Sequence, residues 1–356
     1  MRINSLKHLQ YCRRSTKVGA LALAALLSIV SGCESSGDVR AGAEQSAAAP
    51  NDLFTPWQTL RGGRLESASA FAANPMQPAG AYINFLAPST VAARGQDVYV
   101  VDSGKAGVFR VDPFSSSLVV AQPQPQSKSV IWSGPDYPQR LPSARGTKLY
   151  VANDRSIYVL DQAQRRILHM SREGYMIQEF QDASMLTRPV GMTVDESKGV
   201  LMVVDSIYHN IVAFHEHGRI PYVIVPHDNA AGDLTPVDPV AITTGPEGIY
   251  LLDRRKSQVL LMSEDGIILD SFGEGVLKQP WTIAVDRQRR VYVGDRLDNS
   301  IKVFFGGGLL TEIKGASLRP ALQHISDIWI DEDSLYIADD VSGSVEIMRL
   351  SPLSKK

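Results

Sequence analysis

Residues 280–304 read PWTIAVDRQRRVYVGDRLDNSIKVF, and this stretch determines the fold class. A proline opens an apolar run that ends at Asp286, and after a charged turn a second apolar run ends at Asp295. A polar turn then leads into a third run, which alternates apolar and polar residues as far as Phe304. Strand-length runs with a two-residue period, separated by turn residues, predict antiparallel β-structure.

The second of these runs belongs to a phrase that recurs six times. Its form is apolar, Tyr, apolar, small or apolar, Asp, and the copies are 42 to 52 residues apart. A strand-length run precedes each copy, and an alternating run with a Gly-containing turn follows it. The fifth position of the phrase is occupied, in chain order, by Asp102, Asn153, Asp205, Asp253, Asp295 and Asp339. Six repeats of four strands predict an all-β fold, a six-bladed β-propeller with four antiparallel strands per blade.

The sixth repeat has only three strand-length runs before the chain reaches residues 351–356, SPLSKK. A strand-like segment, FTPWQTLRGG at residues 54–63, precedes the first repeat. An unpaired sheet edge promotes association with other chains, and proteins avoid it. We therefore expect the N-terminal segment to complete the sixth blade, with the propeller spanning residues 51–350 and a short tail after it.

The first 32 residues have the features of a lipoprotein signal peptide. The basic segment contains no acidic residue, and the apolar run at 18–30 is shorter than the about 20 residues of a membrane-spanning helix. Residues 30–33, VSGC, resemble the bacterial lipobox, which implies cleavage before Cys33 and lipid on that cysteine. Residues 33–50 are small and polar and predict a flexible tether.

Composition restricts the possible partners. The signal contains five of the 36 basic residues and none of the 38 acidic ones, which leaves 31 against 38 and a net charge of −7. This balance disfavours nucleic-acid binding. Cys12 leaves with the signal and Cys33 carries lipid, so we expect no thiol for disulfides, zinc or nucleophilic catalysis. The residue after the lipidated cysteine is Glu34 and not the aspartate that resembles an inner-membrane retention signal in enteric bacteria, so we expect the outer membrane, on its periplasmic or surface side.

The repeats resemble the NHL repeat family, whose phrase is roughly P-x-G-I-A-V-D, then V-Y-V-A-D-S-x-N-x-R-V-x-V-F. The resemblance covers about residues 85–350, and residues 280–304 are its best copy. It implies a propeller but no particular activity, because this fold hosts binding modules, scaffolds and enzymes.

In such a ring, the loops that enter the inner strands share one face with the loops that join second and third strands. The first positions after the aligned prolines are Ser89, Gln139, Val190, Val240, Trp281 and Ser326, and the next are Thr90, Arg140, Gly191, Ala241, Thr282 and Asp327. Propeller hydrolases resembling the gluconolactonase and paraoxonase group surround a divalent cation here with several Glu, Asn and Asp residues. Among these twelve positions only Asp327 is acidic, which disfavours such a site. Arg140 and Asp327 are expected to contact a ligand or to pair with each other.

The second set of loops is rich in cations. It contains Lys105, Arg155, Tyr208, His209, Arg254, Arg255, Lys256 and Arg296. Guanidinium groups suit carboxylates and phosphates, so we expect Arg254, Arg255 and Arg296 to contact an anionic ligand. Tyr208, His209 and Trp281 are expected to complete this surface. In the alternative interpretation these loops are only solvated, and the arginines pair with the repeat aspartates. Asp295 itself is expected to bond turn backbone.

The favoured interpretation is a lipid-anchored, non-catalytic binding or assembly module of the cell envelope, monomeric and without a cofactor. Its partner is expected to be an envelope protein or an anionic glycan or peptide. One alternative is an exported metal-dependent lyase or hydrolase that uses His209, His324 and Asp327 at the mouth of the propeller. A zinc lyase of this kind would resemble the peptide-amidating NHL enzyme. Another is a purely structural part of an exopolysaccharide, pilus or electron-transfer assembly.

Overall fold

The computed structural model describes residues 53–67, 76–122, 141–142, 146–215, 220–228 and 235–353. Its strands form six sheets. Three strands precede the first blade: β1 (Phe54–Leu60), β2 (Gly62–Leu65) and β3 (Tyr82–Asn84). Blade 1 consists of β4 (Pro88–Arg94), β5 (Asp97–Asp102), β6 (Gly107–Val111) and β7 (Ser117–Val120). Blade 2 consists of β8 (Lys148–Val151), β9 (Ile157–Asp161), β10 (Arg166–Met170) and β11 (Met176–Gln181).

The other blades follow in chain order. Blade 3 consists of β12 (Pro189–Asp195), β13 (Val200–Asp205), β14 (Asn210–His215) and β15 (Tyr222–Ile224). Blade 4 consists of β16 (Pro239–Gly245), β17 (Gly248–Asp253), β18 (Gln258–Met262) and β19 (Ile268–Phe272). Blade 5 consists of β20 (Pro280–Val285), β21 (Val291–Asp295), β22 (Ser300–Phe305) and β23 (Gly308–Lys314). Blade 6 consists of β24 (Ile325–Asp331), β25 (Ser334–Asp339), β26 (Ser344–Leu350) and β1.

The six sheets form a closed ring. The first strands of successive blades contact each other in the order β4, β8, β12, β16, β20, β24 and back to β4. They are therefore the innermost strands and line the central channel. This confirms the predicted all-β, six-bladed propeller with four antiparallel strands per blade. Blade 1 alone is extended outward, by β2, which runs parallel to β7, and by β3.

The predicted closure by the N-terminal segment is also confirmed. β1 runs antiparallel to β26, and the register pairs Phe54 with Leu350 and Leu60 with Val345. The hydroxyl of Thr59 donates a 2.6 Å hydrogen bond to the carboxylate of Glu346. Burial raises the pKa of Glu346. The fourth strand of the last blade thus comes from the start of the propeller.

The hydrophobic core lies between neighbouring sheets. Each of six apolar clusters draws its side chains from two adjacent blades. The tyrosine of the repeated phrase is a regular member, since Tyr99, Tyr250 and Tyr292 are each only 1% exposed. Burying a large side chain of this kind stabilises the fold by about 1.5–3 kcal/mol. The repeat phrase is therefore mainly a packing signal.

Blade 2 does not follow the predicted alignment. The copy of the phrase that contains Asn153 is LYVAND, and its residues 149–151 lie in the innermost strand β8. The alternating run that follows it, SIYVLD, is expected from the other repeats to be the third strand but forms β9, the second. The third strand is β10, which the sequence interpretation left out. The repeat aspartate of blade 2 is consequently Asp161 and not Asn153. Packing explains the choice, because Tyr158 of β9 is 1% exposed and occupies the buried tyrosine position.

In the described part of the chain, no helix is long and apolar enough to span a membrane. The proposed signal, lipidation site and tether, residues 1–50, lie outside the described residues.

Candidate functional site

The second strands end where the inner strands begin, at one end of the ring. The register pairs Pro88 with Asp102, and equivalent pairs occur in blades 3 to 6. The loops that join second to third strands therefore lie at this same end, as predicted. We call this end the mouth face.

The repeat aspartate connects the two kinds of loop on the mouth face. Asp205 accepts hydrogen bonds of 2.6 Å from the backbone N–H groups of Thr187 and Arg188 in the preceding loop. It also accepts 2.9 Å bonds from Ile207 and Tyr208 in its own turn. Asp339 makes the same four bonds, and Asp102, Asp253 and Asp295 each accept at least one backbone bond from the preceding loop and one from their own turn. The prediction that Asp295 bonds turn backbone is confirmed.

Below the mouth face, each inner strand contributes two successive residues to the channel. Because blade 2 is shifted relative to its predicted alignment, its two residues are Thr147 and Lys148 instead of Gln139 and Arg140. Arg140 lies outside the described residues. The other blades contribute the predicted residues.

A polar cluster occupies the channel at this level. The carboxylate of Asp327, which is 5% exposed, accepts bonds of 3.0 Å from Lys148 Nζ and 2.7 Å from Thr282 Oγ1. Its second oxygen lies 3.4 Å from the backbone nitrogen of Val91. Asp327 therefore pairs with Lys148, whereas its predicted pairing with Arg140 stays a prediction, because Arg140 lies outside the described residues. Lys148 lines both a cavity at the mouth face and a second cavity, of about 230 Å³, further along the channel.

The mouth cavity has a volume of about 330 Å³ and receives side chains from all six blades. Val190, Val240 and Trp281, from blades 3 to 5, form an apolar part of its wall. Arginines from the same three blades stand beside them: Arg188, Arg254 and Arg296. The cavity thus combines an apolar surface with three guanidinium groups.

The three arginines differ in their side-chain contacts. The guanidinium carbon of Arg296 lies 3.4 Å from the centre of the Trp281 ring, a cation–π stack. Arg254 forms an ion pair with Asp238, in which its Nε and Nη2 lie 2.9 and 2.8 Å from the same carboxylate oxygen, Oδ2. The exposed side chain of Arg188 forms no ion pair or hydrogen bond with any other described residue. Its charge is therefore available to a ligand.

The acidic part of the cavity wall comes from blade 6. His324 and Asp340 both line the cavity, and Nδ1 of the imidazole lies 2.6 Å from the carboxylate oxygen. This contact orients the imidazole. Among the described residues that line the cavity, Asp340 is the single carboxylate, beside Lys148 and the three arginines.

The remaining predicted contact residues lie elsewhere. Tyr208, His209 and Arg255 are exposed on mouth-face loops but do not line the cavity. Arg155 is on the opposite face, because the loop between β8 and β9 joins an inner to a second strand. Its guanidinium is 3.9 Å from Asp97 at the start of β5. The prediction that Arg155 belongs to the mouth-face cations is therefore wrong.

The structure also bears on the alternative metal site. His209 lies outside the cavity, His324 contacts Asp340, and Asp327 is bonded to Lys148 and Thr282. Among the residues that the structure describes, no group of three or more His, Cys, Asp or Glu side chains is arranged to hold a metal ion.

Sequence reasoning missed two cations of the cavity. Lys148 was hidden by the shifted alignment of blade 2. Arg188 stands directly before the aligned Pro189, one position before the two loop residues that follow each aligned proline. The residue before each aligned proline is where the sequence shows Arg188, but only the turn of the loop shows that Arg188 lines the cavity.

Neither a protein-family profile nor a curated protein sequence matches this chain. Solved structures with a similar fold do exist. A structural genomics protein of unknown function from Bacteroides thetaiotaomicron is 14% identical, with a TM-score of 0.57 over 84% of this chain and 76% of that one. Virginiamycin B lyase from Staphylococcus aureus is 13% identical, with a TM-score of 0.51 over 75% of this chain and 96% of that one. A catalytically inactive variant of that lyase with quinupristin is 12% identical, with a TM-score of 0.50 over 74% and 95% of the two chains. At these identities the likeness shows the propeller fold alone.

Proposed function

We propose that this chain is a non-catalytic binding module of the cell envelope that holds an anionic ligand in the mouth cavity. The observation that carries the proposal is the convergence of Arg188, Arg254 and Arg296, from three consecutive blades, on one cavity. Guanidinium groups in a fixed orientation recognise carboxylate and phosphate oxygens through paired hydrogen bonds.

The charges around the cavity support this choice. Lys148 is compensated by Asp327, and Arg254 by Asp238. Arg188 has no such partner among the described residues. Trp281 holds the guanidinium of Arg296 flat, which limits the side-chain entropy that Arg296 loses when a ligand binds. A site with a net positive charge on a negatively charged protein attracts anions selectively.

The test is a titration of the purified full chain by calorimetry with three anions: inorganic phosphate, acetyl-trialanine and di-galacturonate. We expect at least one of them to bind, and the double variant Arg188→Gln/Arg296→Gln to weaken that binding by tenfold or more, since each charge-assisted bond contributes about 1.5–3 kcal/mol. Arg165→Gln is the matched control, because Arg165 is exposed on a mouth-face loop and does not line the cavity. Binding that survives the double variant, or no binding of any anion, would reject the proposal.

The NHL-type repeat and the lipid anchor belong to the same proposal. They rest on the repeated phrase and on residues 30–33 of the sequence. The substitution Cys33→Ala should move the protein from the membrane pellet to the soluble fraction of the cell envelope. Retention of this variant in the pellet after a high-salt wash would argue against lipid attachment at Cys33.

One observation favours a catalytic alternative, an exported lyase or hydrolase. An imidazole oriented by a carboxylate, as His324 is by Asp340, is a common form of general base. If this alternative holds and a metal takes part, elemental analysis of the purified chain should find zinc or calcium in stoichiometric amount, and His324→Gln should lower that content. A stoichiometric metal would count against the non-catalytic proposal.

A further inference from the structure

The lining of the mouth cavity divides into two chemically different parts. Blades 3 to 5 supply hydrogen-bond donors and apolar surface, through Arg188, Arg254, Arg296 and the valines and tryptophan beside them. The other part, mainly from blades 6, 1 and 2 with one serine of blade 3, contains Lys148, which is paired with Asp327, together with Gln162, His324 and Asp340. Most of its side chains carry hydroxyl groups: Ser89, Thr90, Thr147, Ser206 and Ser326. A ligand that fills the cavity must satisfy both parts.

Most of these hydroxyl groups cannot donate a hydrogen bond to a ligand, because they already donate their proton to the backbone. Ser89 Oγ donates to the carbonyl of Val101 at 3.2 Å, and Thr90 Oγ1 donates to that of Thr147 at 2.8 Å. Ser206 Oγ donates to the carbonyl of Arg188 at 3.2 Å.

Ser326 completes this pattern, with carbonyl oxygens of Pro88 and Ala338 at 2.7 and 3.0 Å from its Oγ. A hydroxyl has one proton and two lone pairs. Once the proton is committed to the backbone, the oxygen can only accept. The carboxylate of Asp340 adds another acceptor on the same side. This part of the cavity therefore suits a ligand with several donors.

We propose, on the basis of the proposed function, that the ligand is a uronic acid unit of a glycan. Its carboxylate meets the donors of blades 3 to 5, and its ring hydroxyls donate to the serine and threonine oxygens and to Asp340. The carbon–hydrogen face of the sugar ring covers the apolar surface. A cavity of about 330 Å³ is at the lower end of the range of about 300–1,000 Å³ for small-molecule sites, which suits one or two rings.

The experiment compares three probes by calorimetry on the purified full chain: di-galacturonate, its neutral counterpart galactobiose, and acetyl-trialanine. We expect di-galacturonate to bind at least about tenfold more tightly than either of the others, because only this probe has both the carboxylate and the hydroxyl donors.

Two serines with the same backbone contact provide a matched pair of variants. Ser206 and Ser103 each follow a repeat aspartate and each donate to the carbonyl before the aligned proline, Ser103 at 3.1 Å to Ala87, but only Ser206 lines the cavity. Ser89→Ala/Ser206→Ala should weaken di-galacturonate binding about tenfold. Ser103→Ala should leave the dissociation constant within twofold.

The outcomes separate this inference from the proposed function. If acetyl-trialanine binds as tightly as di-galacturonate, or if the double serine variant binds di-galacturonate normally, the sugar-acid inference is wrong. The proposed function then still stands if binding is lost in Arg188→Gln/Arg296→Gln. If no anionic probe binds, the proposed function fails and this inference fails with it.

Discussion

In blade 5 the repeat aspartate, Asp295, is fully buried and accepts backbone N–H bonds from Lys278 and Gln279 in the preceding loop and from Leu297 in its own turn. It also accepts a 3.3 Å bond from the buried Nζ of Lys302. In blade 2 the corresponding Asp161 is 6% exposed and bonds within its own turn, to the backbone of Gln164 and the guanidinium of Arg166. Within the part of the chain that the structure describes, the same residue type at the same fold position thus joins two loops in blade 5 but bonds only its own turn in blade 2, where residues 143–145 of the preceding loop are not described. The contribution of a repeat aspartate to stability therefore depends on how many backbone N–H groups its carboxylate bonds.

The largest effect should follow removal of the blade 5 aspartate. Asp295→Ala leaves three backbone donors without their acceptor and leaves Lys302, which is 4% exposed, without one of its carboxylates. We expect the free energy of unfolding to fall by about 3–5 kcal/mol. Chemical denaturation monitored by circular dichroism measures it. A loss below about 1 kcal/mol would mean that the contacts of Asp295 do not hold the two loops together.

The blade 2 aspartate should matter less. Asp161→Ala removes one bond from backbone and one from a half-buried guanidinium, so we expect a loss of about 1–2 kcal/mol. The same denaturation experiment, carried out beside Asp295→Ala, gives the ratio of the two effects. Equal losses would contradict the distinction between the blades.

Acid should reveal a further difference at the turn of blade 5. Burial acts to raise the pKa of Asp298, but hydrogen bonds from Lys302, Ser300 and Lys278 outweigh it and lower the pKa to about 2. Because the folded-state pKa is depressed, the stabilisation is fully present above about pH 5 and is lost as the pH falls from 4 toward 2. Asp298→Asn should therefore lower the unfolding free energy on the order of 1 kcal/mol at pH 7, since the side chain is 23% exposed and partly screened.

The deficit of Asp298→Asn should shrink through the acid range. Thermal unfolding of the unsubstituted protein and of Asp298→Asn between pH 2 and pH 7 measures this difference in stability. Asp154→Asn in blade 2 is a suitable comparison, because hydrogen bonds with Ser156 also lower the pKa of Asp154 against the effect of burial. A deficit for Asp298→Asn that stays constant down to pH 2 would show that the carboxylate does not stabilise the turn through its charge.

The smallest effect should come from Asn153, which the sequence interpretation placed at the repeat position. Its side chain is exposed, and it is the backbone N–H of Asn153 that bonds to Glu196, at 2.8 Å. Asn153→Ala should change the unfolding free energy by no more than about 0.5 kcal/mol. A loss similar to that of Asp161→Ala would indicate that Asn153, and not Asp161, occupies the repeat position of blade 2.

The comparison also explains why the repeated phrase predicts the wrong strand alignment for blade 2. IYVLD at residues 157–161 fits the repeated phrase as well as LYVAND does, but it gives uneven intervals of 59 and 44 residues. The even spacing of the copies favours LYVAND, whereas the buried tyrosine and the terminal aspartate favour IYVLD. Spacing reflects loop length, which varies freely at the surface, whereas Tyr158 and Asp161 have fixed packing and bonding roles.

The repeat register also predicts only part of the candidate site. Trp281, Arg254 and Arg296 follow directly from the repeat register, and all three line the cavity. Lys148 and Arg188 required knowledge of where the inner strand of blade 2 begins and of how the loop before Pro189 turns inward. Such positions depend on contacts between blades, which a single repeat does not encode.

The pairing of β1 with β26 sets an order of events during synthesis. Phe54 and Leu350 are partners in that register, 296 residues apart in the chain. At about 5–20 residues per second, Leu350 is made about 15–60 s after Phe54. Throughout that interval β1 has no partner in blade 6 and blade 6 has no outer strand. The pairing of β1 with β26 therefore completes the ring last, and blades 1 to 5 can form before that step.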